Sequence, residues 1–180
     1  MRLAPTFKLN PYMGEPLKPV VLPPGLIMIQ DTREQRPLLI KEEMADIVKG
    51  ELVVIRTALP DGDYSIKGFE DKFCIERKQI SDFYQYIGKD RNATRRKMER
   101  FKDIISAGGF AGLIIESSEE DILAGYSMSR LSPEVARAAL ISFDVRYGIH
   151  IYMSRSRDSL RRWLLDRAVK FYKIQREVGD

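Results

Sequence analysis

Lys72-Phe73-Cys74-Ile75-Glu76-Arg77-Lys78 is the stretch that decides the fold. It holds β-branched and aromatic residues and no Gly or Pro, which is the composition of a strand. Strand side chains alternate between faces, so Glu76 and Lys78 share one face and Ile75 and Arg77 take the other. Asp63-Tyr64-Ser65-Ile66-Lys67 reads as a second strand, and Gly68-Phe69-Glu70-Asp71 between the two suits a hairpin loop. Symmetric closure sets Ile66 opposite Phe73, Ser65 opposite Cys74 and Asp63 opposite Glu76. A bulge would shift this register by one residue.

The charge in that hairpin has a cost. Directly opposed side chains sit about 5 Å apart, and two carboxylates at that distance repel by roughly 3 kcal/mol at an effective dielectric of ~20. Such a pair needs a counter-charge. A hard cation such as Mg²⁺ takes oxygen ligands and keeps several waters, which fits two carboxylates with an open coordination sphere. Lys78 on the same face would lie beside that ion and its water. A Glu-x-Lys strand taken alone is a weak signal, since solvated charges on an exposed hairpin face are the usual fate of charged strand residues, so the pair is weighed with its surroundings.

Those surroundings are specific. Asp31-Thr32-Arg33-Glu34, Gly62-Asp63-Tyr64, Glu76-Arg77-Lys78 and Asp82 follow one another along the chain. They fill the pattern G-D-Xn-E-R-K-X3-D preceded by D-x-R-E, and in this the chain resembles the XPF-type structure-specific endonuclease domain. The resemblance is close over residues 26–116 and extends to 153. It implies an α/β, restriction-endonuclease-like fold with a central mixed β-sheet flanked by helices. It also implies dependence on Mg²⁺ or Mn²⁺ and cleavage of DNA near branches, flaps or forks. In that reading Asp63 and Glu76, with Asp31, hold the metal. Lys78 orients or activates the water, or stabilises the pentavalent phosphorane. Arg77 and Asp82 complete the catalytic motif, Asp82 by pairing with Lys78 or Arg77. Arg33 and Glu34 frame the site as an ion pair, or Glu34 serves as a further acid of the metal. The side-chain alternation places Arg77 away from the reaction, in a buried pair with an acid or on the DNA backbone. The alternative is a non-catalytic DNA-binding or scaffold subunit; such relatives lose the acids and the lysine, which this chain keeps.

Composition sets the outer bounds. The 180 residues are 44% hydrophobic and 31% charged, with a net charge of +4, enough for a soluble core and mildly in favour of a polyanionic partner. Cys74 is the single cysteine, so no internal disulfide forms, and with His150 as the single histidine a zinc site is not expected. No apolar run reaches about 18 residues and the N-terminus lacks a signal-peptide core, so the expectation is an intracellular protein without a membrane span.

Six of the nine prolines lie in residues 1–24, which read as an extended arm preceding a nuclease domain over 25–180. The arm packs along the domain, binds a protein partner or is loose. Gly25 to Asp31 reads as a buried strand delivering Asp31 at its end. A helix is expected over Leu38 to Lys49, a strand over Glu51 to Thr57 and a turn at Pro60-Asp61-Gly62. Helices are expected over Ile80 to Ile87 and Asn92 to Ser106, and a buried strand over Phe110 to Ile115. Ser132-Pro133-Glu134 opens a helix running to about Tyr147. A strand over Ile149 to Met153 and a final helix from Ser156 or Arg157 complete the chain.

Arg91, Arg95, Arg96, Lys97, Arg100 and Lys102 form a basic cluster behind the motif, read as phosphate contacts or as a solvated helix face. The last helix is also basic and carries Leu160, Trp163, Leu164, Phe171 and Ile174. With Val135, Ala138, Ala139, Leu140 and Phe143 before it, this is more apolar surface than covering one sheet edge requires. Relatives pair through the same end, so a homodimer is expected, set against simple packing on the sheet. The sequence shows neither the helix-hairpin-helix module nor the P-loop helicase motif that relatives often carry. Junction specificity would then come from a partner or from the arm.

Overall fold

The computed structural model describes residues 17–179. In chain order these form β1 (Val20–Val21), β2 (Ile27–Gln30), β3 (Val48–Lys49), β4 (Val53–Arg56), β5 (Tyr64–Ile66), β6 (Phe73–Gln79), α1 (Ile80–Ile87), α2 (Arg91–Ser106), β7 (Phe110–Glu116), α3 (Glu119–Ala124), α4 (Pro133–Tyr147), β8 (His150–Met153) and α5 (Arg157–Gly179). A single 3-10 turn covers Lys41–Glu43. Six strands build one mixed sheet in the order β4-β2-β5-β6-β7-β8, and β1 with β3 makes a small parallel pair. Pairing is antiparallel at β2–β5 and β5–β6 and parallel at β2–β4, β6–β7 and β7–β8. Strands β2, β6 and β7 therefore run the same way, and their carboxyl ends meet at one edge.

Alternation along β6 and β7 divides the core between two layers. Phe73, Ile75 and Ile114 belong to a cluster with Leu160, Leu164, Phe171 and Tyr172 of α5. Cys74, Leu113 and Ile115 belong to the opposite cluster with Phe83 of α1, Met98 and Phe101 of α2 and Phe143 of α4. Both faces of the sheet are covered, which is why β7 reads as a continuous apolar run.

Several sequence expectations are corrected. Leu38 to Lys49 is not a helix. The backbone of Leu38 is committed elsewhere, its N–H to the Tyr64 hydroxyl at 2.7 Å and its carbonyl to Arg161 Nε at 2.8 Å, while Val48 and Lys49 pair with β1. Tertiary partners override a helical pattern there. Residues 1–16 of the Pro-rich arm lie outside the described residues. Within its remainder, Val20 and Leu22 join the α5-side cluster. The short α3 was not foreseen; Ser118 opens it through a capping box with Asp121. Four of the five apolar residues of α5 assigned to a dimer face are buried, Leu160, Trp163, Leu164 and Phe171, leaving Ile174 exposed. Among the described residues no helix is long and apolar enough to cross a membrane.

Candidate active site

The hairpin of β5 and β6 pairs Tyr64 with Ile75, the register read from the sequence. At its mouth the Asp63 N–H bonds the Ile75 carbonyl at 2.8 Å, a one-residue departure from a direct Asp63–Glu76 ladder step. Gly62 makes this possible. Its φ is +75°, and a Cβ there would lie 2.6 Å from Cys74 Sγ and 2.9 Å from the Ile75 carbonyl oxygen. Only glycine allows the chain to turn so tightly against β6 and present Asp63. Asp61, one residue earlier, is held by Arg100 of α2 through Nε at 2.8 and 2.9 Å, so the turn is fastened to the helix.

Asp63 and Glu76 are the two acids gathered here. Asp63 Oδ2 accepts the Arg77 N–H at 2.7 Å. Burial and the adjacent Glu76 charge push its pKa up to about 7. Glu76 behaves oppositely. Burial works against its charge, yet Lys78 and Lys97 hold its pKa below the ordinary value. Lys78 Nζ donates to Glu76 Oε1 at 2.5 Å, and Lys97 Nζ reaches both carboxylate oxygens at 2.8 Å. Burial opposes the Lys78 charge as well, but Glu76 and Asp63 outweigh it and keep the amine protonated. The Tyr86 ring lies 5.0 Å from Lys78 Nζ and 6.0 Å from Lys97 Nζ, a cation–π floor under both.

Arg77 faces the other way, as alternation requires. It forms a bidentate pair with Glu34 at 2.7 and 2.8 Å and an ion pair with Glu116 at 3.2 Å. Glu116 is also held by Arg157 at the start of α5. This buried chain of charges ties the segment after β2 to β6, β7 and α5. Burial opposes the Glu34 charge, and the Arg77 guanidinium and the Arg36 N–H bring its pKa below the ordinary value.

Other expected roles change. Arg33 and Glu34 are not paired with each other. Arg33 grips Asp31 at 2.8 Å through both Nε and Nη2, and Asp31 Oδ2 also accepts the Leu59 N–H at 2.7 Å. The Arg33 hydrogen bonds hold the Asp31 pKa far below the carboxylate range. With both oxygens engaged, Asp31 fastens the strand end to the 57–59 segment. No cluster of three or more His, Cys, Asp or Glu suited to a metal forms among the described residues; Asp63 and Glu76 lie adjacent, while Asp31 is engaged by Arg33 and the Leu59 N–H. Asp82 is exposed and forms no ion pair with Lys78 or Arg77; its carboxylate accepts a long hydrogen bond from the Ser81 hydroxyl at 3.4 Å. Of the basic cluster, Arg91, Arg95, Arg96 and Lys102 are exposed and Arg100 is spent on Asp61.

Lys97, one of the basic cluster expected at phosphate or on a solvated helix face, pairs with Glu76 of the acidic pair. The signal was helical spacing. Thr94, Met98 and Phe101 are the buried residues of α2, and Lys97 lies on their side of the helix. Tyr86, Glu116 and Asp61 also escaped the sequence reading.

The donor set suits a hard divalent cation. Two carboxylates at one sheet edge supply oxygen ligands, and the raised pKa of Asp63 marks a carboxylate short of positive charge. Strand carboxyl ends are also where α/β sheets place ligands.

A family model described as the ERCC4 domain matches residues 30–166. Two solved structures of XPF from Aeropyrum pernix share the fold, confirming the restriction-endonuclease-like sheet flanked by helices. One has a TM-score of 0.57 at 21% identity, covering 79% of this chain and 61% of that one. The other, in complex with DNA, has a TM-score of 0.60 at 19% identity, covering 83% and 66%. The chain thus spans less than two thirds of either. No curated protein matches the sequence.

Proposed function

The chain belongs to the ERCC4 domain family of XPF-type nucleases, and from that premise we propose that it is a divalent-metal-dependent endonuclease hydrolysing phosphodiester bonds in DNA. The observation that carries the reading is the adjacent pair of half-buried Asp63 and buried Glu76 at the sheet edge, with Lys78 and Lys97 against Glu76. Asp63 and Glu76 would hold Mg²⁺ or Mn²⁺, which when bound supplies an activated water and Lewis-acid charge to the phosphate.

The chain's own residues have distinct tasks. Lys78 stays protonated beside Glu76 and Asp63, so it acts as a fixed positive charge on the phosphoryl oxygens and not as a base. Lys97 shares the Glu76 charge and is the cation free to turn to phosphate once that carboxylate takes a metal. Asp63, with a pKa of about 7, ionises near neutrality. Arg77 is a positioning residue: it orients β6 through Glu34 and Glu116, and its backbone N–H orients the Asp63 carboxylate.

DNA as the polymer is supported by the family and by the solved relative that carries DNA. Branched, flap or fork DNA is the substrate class proposed. For the proposed homodimer, the surface left is on α4, where Ile141 and Val145 are exposed one turn apart. Flap, fork and linear duplex DNA incubated with Mg²⁺ or with EDTA test the reading. Metal-dependent cleavage is expected. Binding without cleavage of any of them returns the chain to a non-catalytic DNA-binding subunit.

A further inference from the structure

Beside the active site lies a groove of about 1280 Å³ between α1, α2, the segment 126–131 and α4. Lys89, Arg91, Arg95, Arg130 and Arg146 line it, and no Asp or Glu does. None of the five forms an ion pair among the described residues, whereas Arg33, Arg77, Arg100, Arg155, Arg157 and Arg161 each hold a carboxylate. The groove therefore carries uncompensated positive charge on a concave wall, which concentrates a polyanion.

Its floor is apolar and aromatic. Half-buried Tyr126 is the accessible ring, its centroid 5.5 Å from that of the buried Tyr84 beneath it, and Met128 is 82% exposed. Tyr86 closes the inner end, and this is the ring lying under Lys78 and Lys97. The Tyr86 hydroxyl is buried without a hydrogen-bond partner among the described residues. The groove and the acidic pair thus share one wall.

The volume exceeds the roughly 300–1,000 Å³ of small-molecule sites, so an extended chain fits better than a single nucleotide. A duplex presents phosphates and hides its base faces, leaving an aromatic floor against water. An unpaired strand offers both phosphates and base faces, the combination that basic grooves with aromatic platforms take up. We propose that this groove binds a single-stranded segment of DNA, the unpaired arm leaving the duplex that is cut at Asp63 and Glu76. The proposal rests on the nuclease reading for its substrate, and it assigns that reading a feature the acidic pair does not contain.

Anisotropy of fluorescein-labelled oligo(dT) and of a blunt duplex of equal length, both in EDTA, tests it with the full chain. R130E/R146E changes two cations outside the catalytic machinery, and Tyr126→Ala removes a platform. The double variant is expected to lose about tenfold or more in oligo(dT) affinity at 100 mM salt. Y126A is expected to lose about fivefold or more, at 1–3 kcal/mol per stacked base. Duplex affinity should change about twofold or less in Y126A. Unchanged oligo(dT) affinity in both variants overturns the proposal, as does equal loss for duplex in Y126A. Displacement of oligo(dT) by polyglutamate at equal charge overturns it in favour of an acidic protein partner. A dimer that dissociates in R130E/R146E overturns it in favour of a second copy. Cleavage of fork DNA in Mg²⁺ is read separately. Intact oligo(dT) binding with no cleavage sinks the nuclease reading and leaves the groove standing.

Discussion

Arg77→Met is the most informative perturbation, because Arg77 belongs to the recognisable motif yet points away from the acids. Its side chain is 5% exposed and that of Glu34 is 4% exposed. Removing the guanidinium deprives Glu34 of both hydrogen bonds to Arg77 and leaves it the Arg36 N–H at 2.7 Å. Glu116 keeps Arg157. One buried carboxylate is thus left largely uncompensated, which costs about 3–5 kcal/mol. For a domain of this size that lowers Tm by roughly 6–20 °C, at about 2–4 °C per kcal/mol. The double variant E34L/R77M removes both charges and should recover a large part of the loss, since the pair itself contributes little against its desolvation. Urea unfolding of the wild type, both single variants and the double variant at pH 7.5 closes the cycle. A cost under about 1 kcal/mol for R77M, or additive single-variant effects, would refute the reasoning. Arg77 would then have to be sought at the phosphate.

Asp63→Asn should abolish cleavage while folding is kept. The folded chain holds the Asp63 proton where the unfolded chain has lost it, so stability falls as pH rises from about 4 to about 7. The asparagine variant should lack that decline, which is at most ~4 kcal/mol by the conversion of about 1.4 kcal/mol per pH unit; chemical unfolding across pH reads the difference, and identical profiles would count against it. Mg²⁺ titrated at pH 6 should release up to one proton as Asp63 ionises and none at pH 8.5, seen by calorimetry in buffers of different ionisation enthalpy; no buffer dependence at pH 6 speaks against Asp63 as a ligand. Gly62→Ala should lose cleavage and several kcal/mol of stability, since its Cβ meets backbone at 2.9 Å; wild-type stability and activity would remove the turn from the argument. Arg95→Ala with Arg96→Ala should flatten the log–log salt dependence of DNA binding by up to ~2, and an unchanged slope would assign these exposed residues to solvent.

What was legible in the sequence followed from strand alternation. A period of two puts Glu76 and Lys78 on one face and Arg77 on the other without any knowledge of partners. A short loop then limits the register to the one observed, with the departure confined to Asp63. The helices α1, α2 and α4 were legible because their apolar residues recur at helical spacing between clear breaks. The partners of the charges were not legible. Asp31 and Glu34 each take an arginine, but the choice between Arg33 and Arg77 depends on how β2 and β6 approach through β5. Lys97 is one of six basic residues in its region, and only the buried side of α2 distinguishes it. Residues 38–49 carry a helical pattern whose backbone groups are claimed by Tyr64, Arg161 and β1, a competition that local sequence does not record.

Helix α2 holds Arg91 in the groove and Lys97 on Glu76, and Arg100 locks its middle to the turn before Asp63. Six residues of helix at 1.5 Å each set an axial separation of about 9 Å between Arg91 and Lys97. For the strand proposed to lie in the groove, the helix would then be a ruler. A strand seated in the groove would be cut at a constant offset from the point where it leaves the duplex, whatever its sequence, and sequencing gels of fork products would show one dominant cut position. Inserting one residue between Arg95 and Lys97 would turn the scale by about 100° and blur that position, even with every side chain of the site still present.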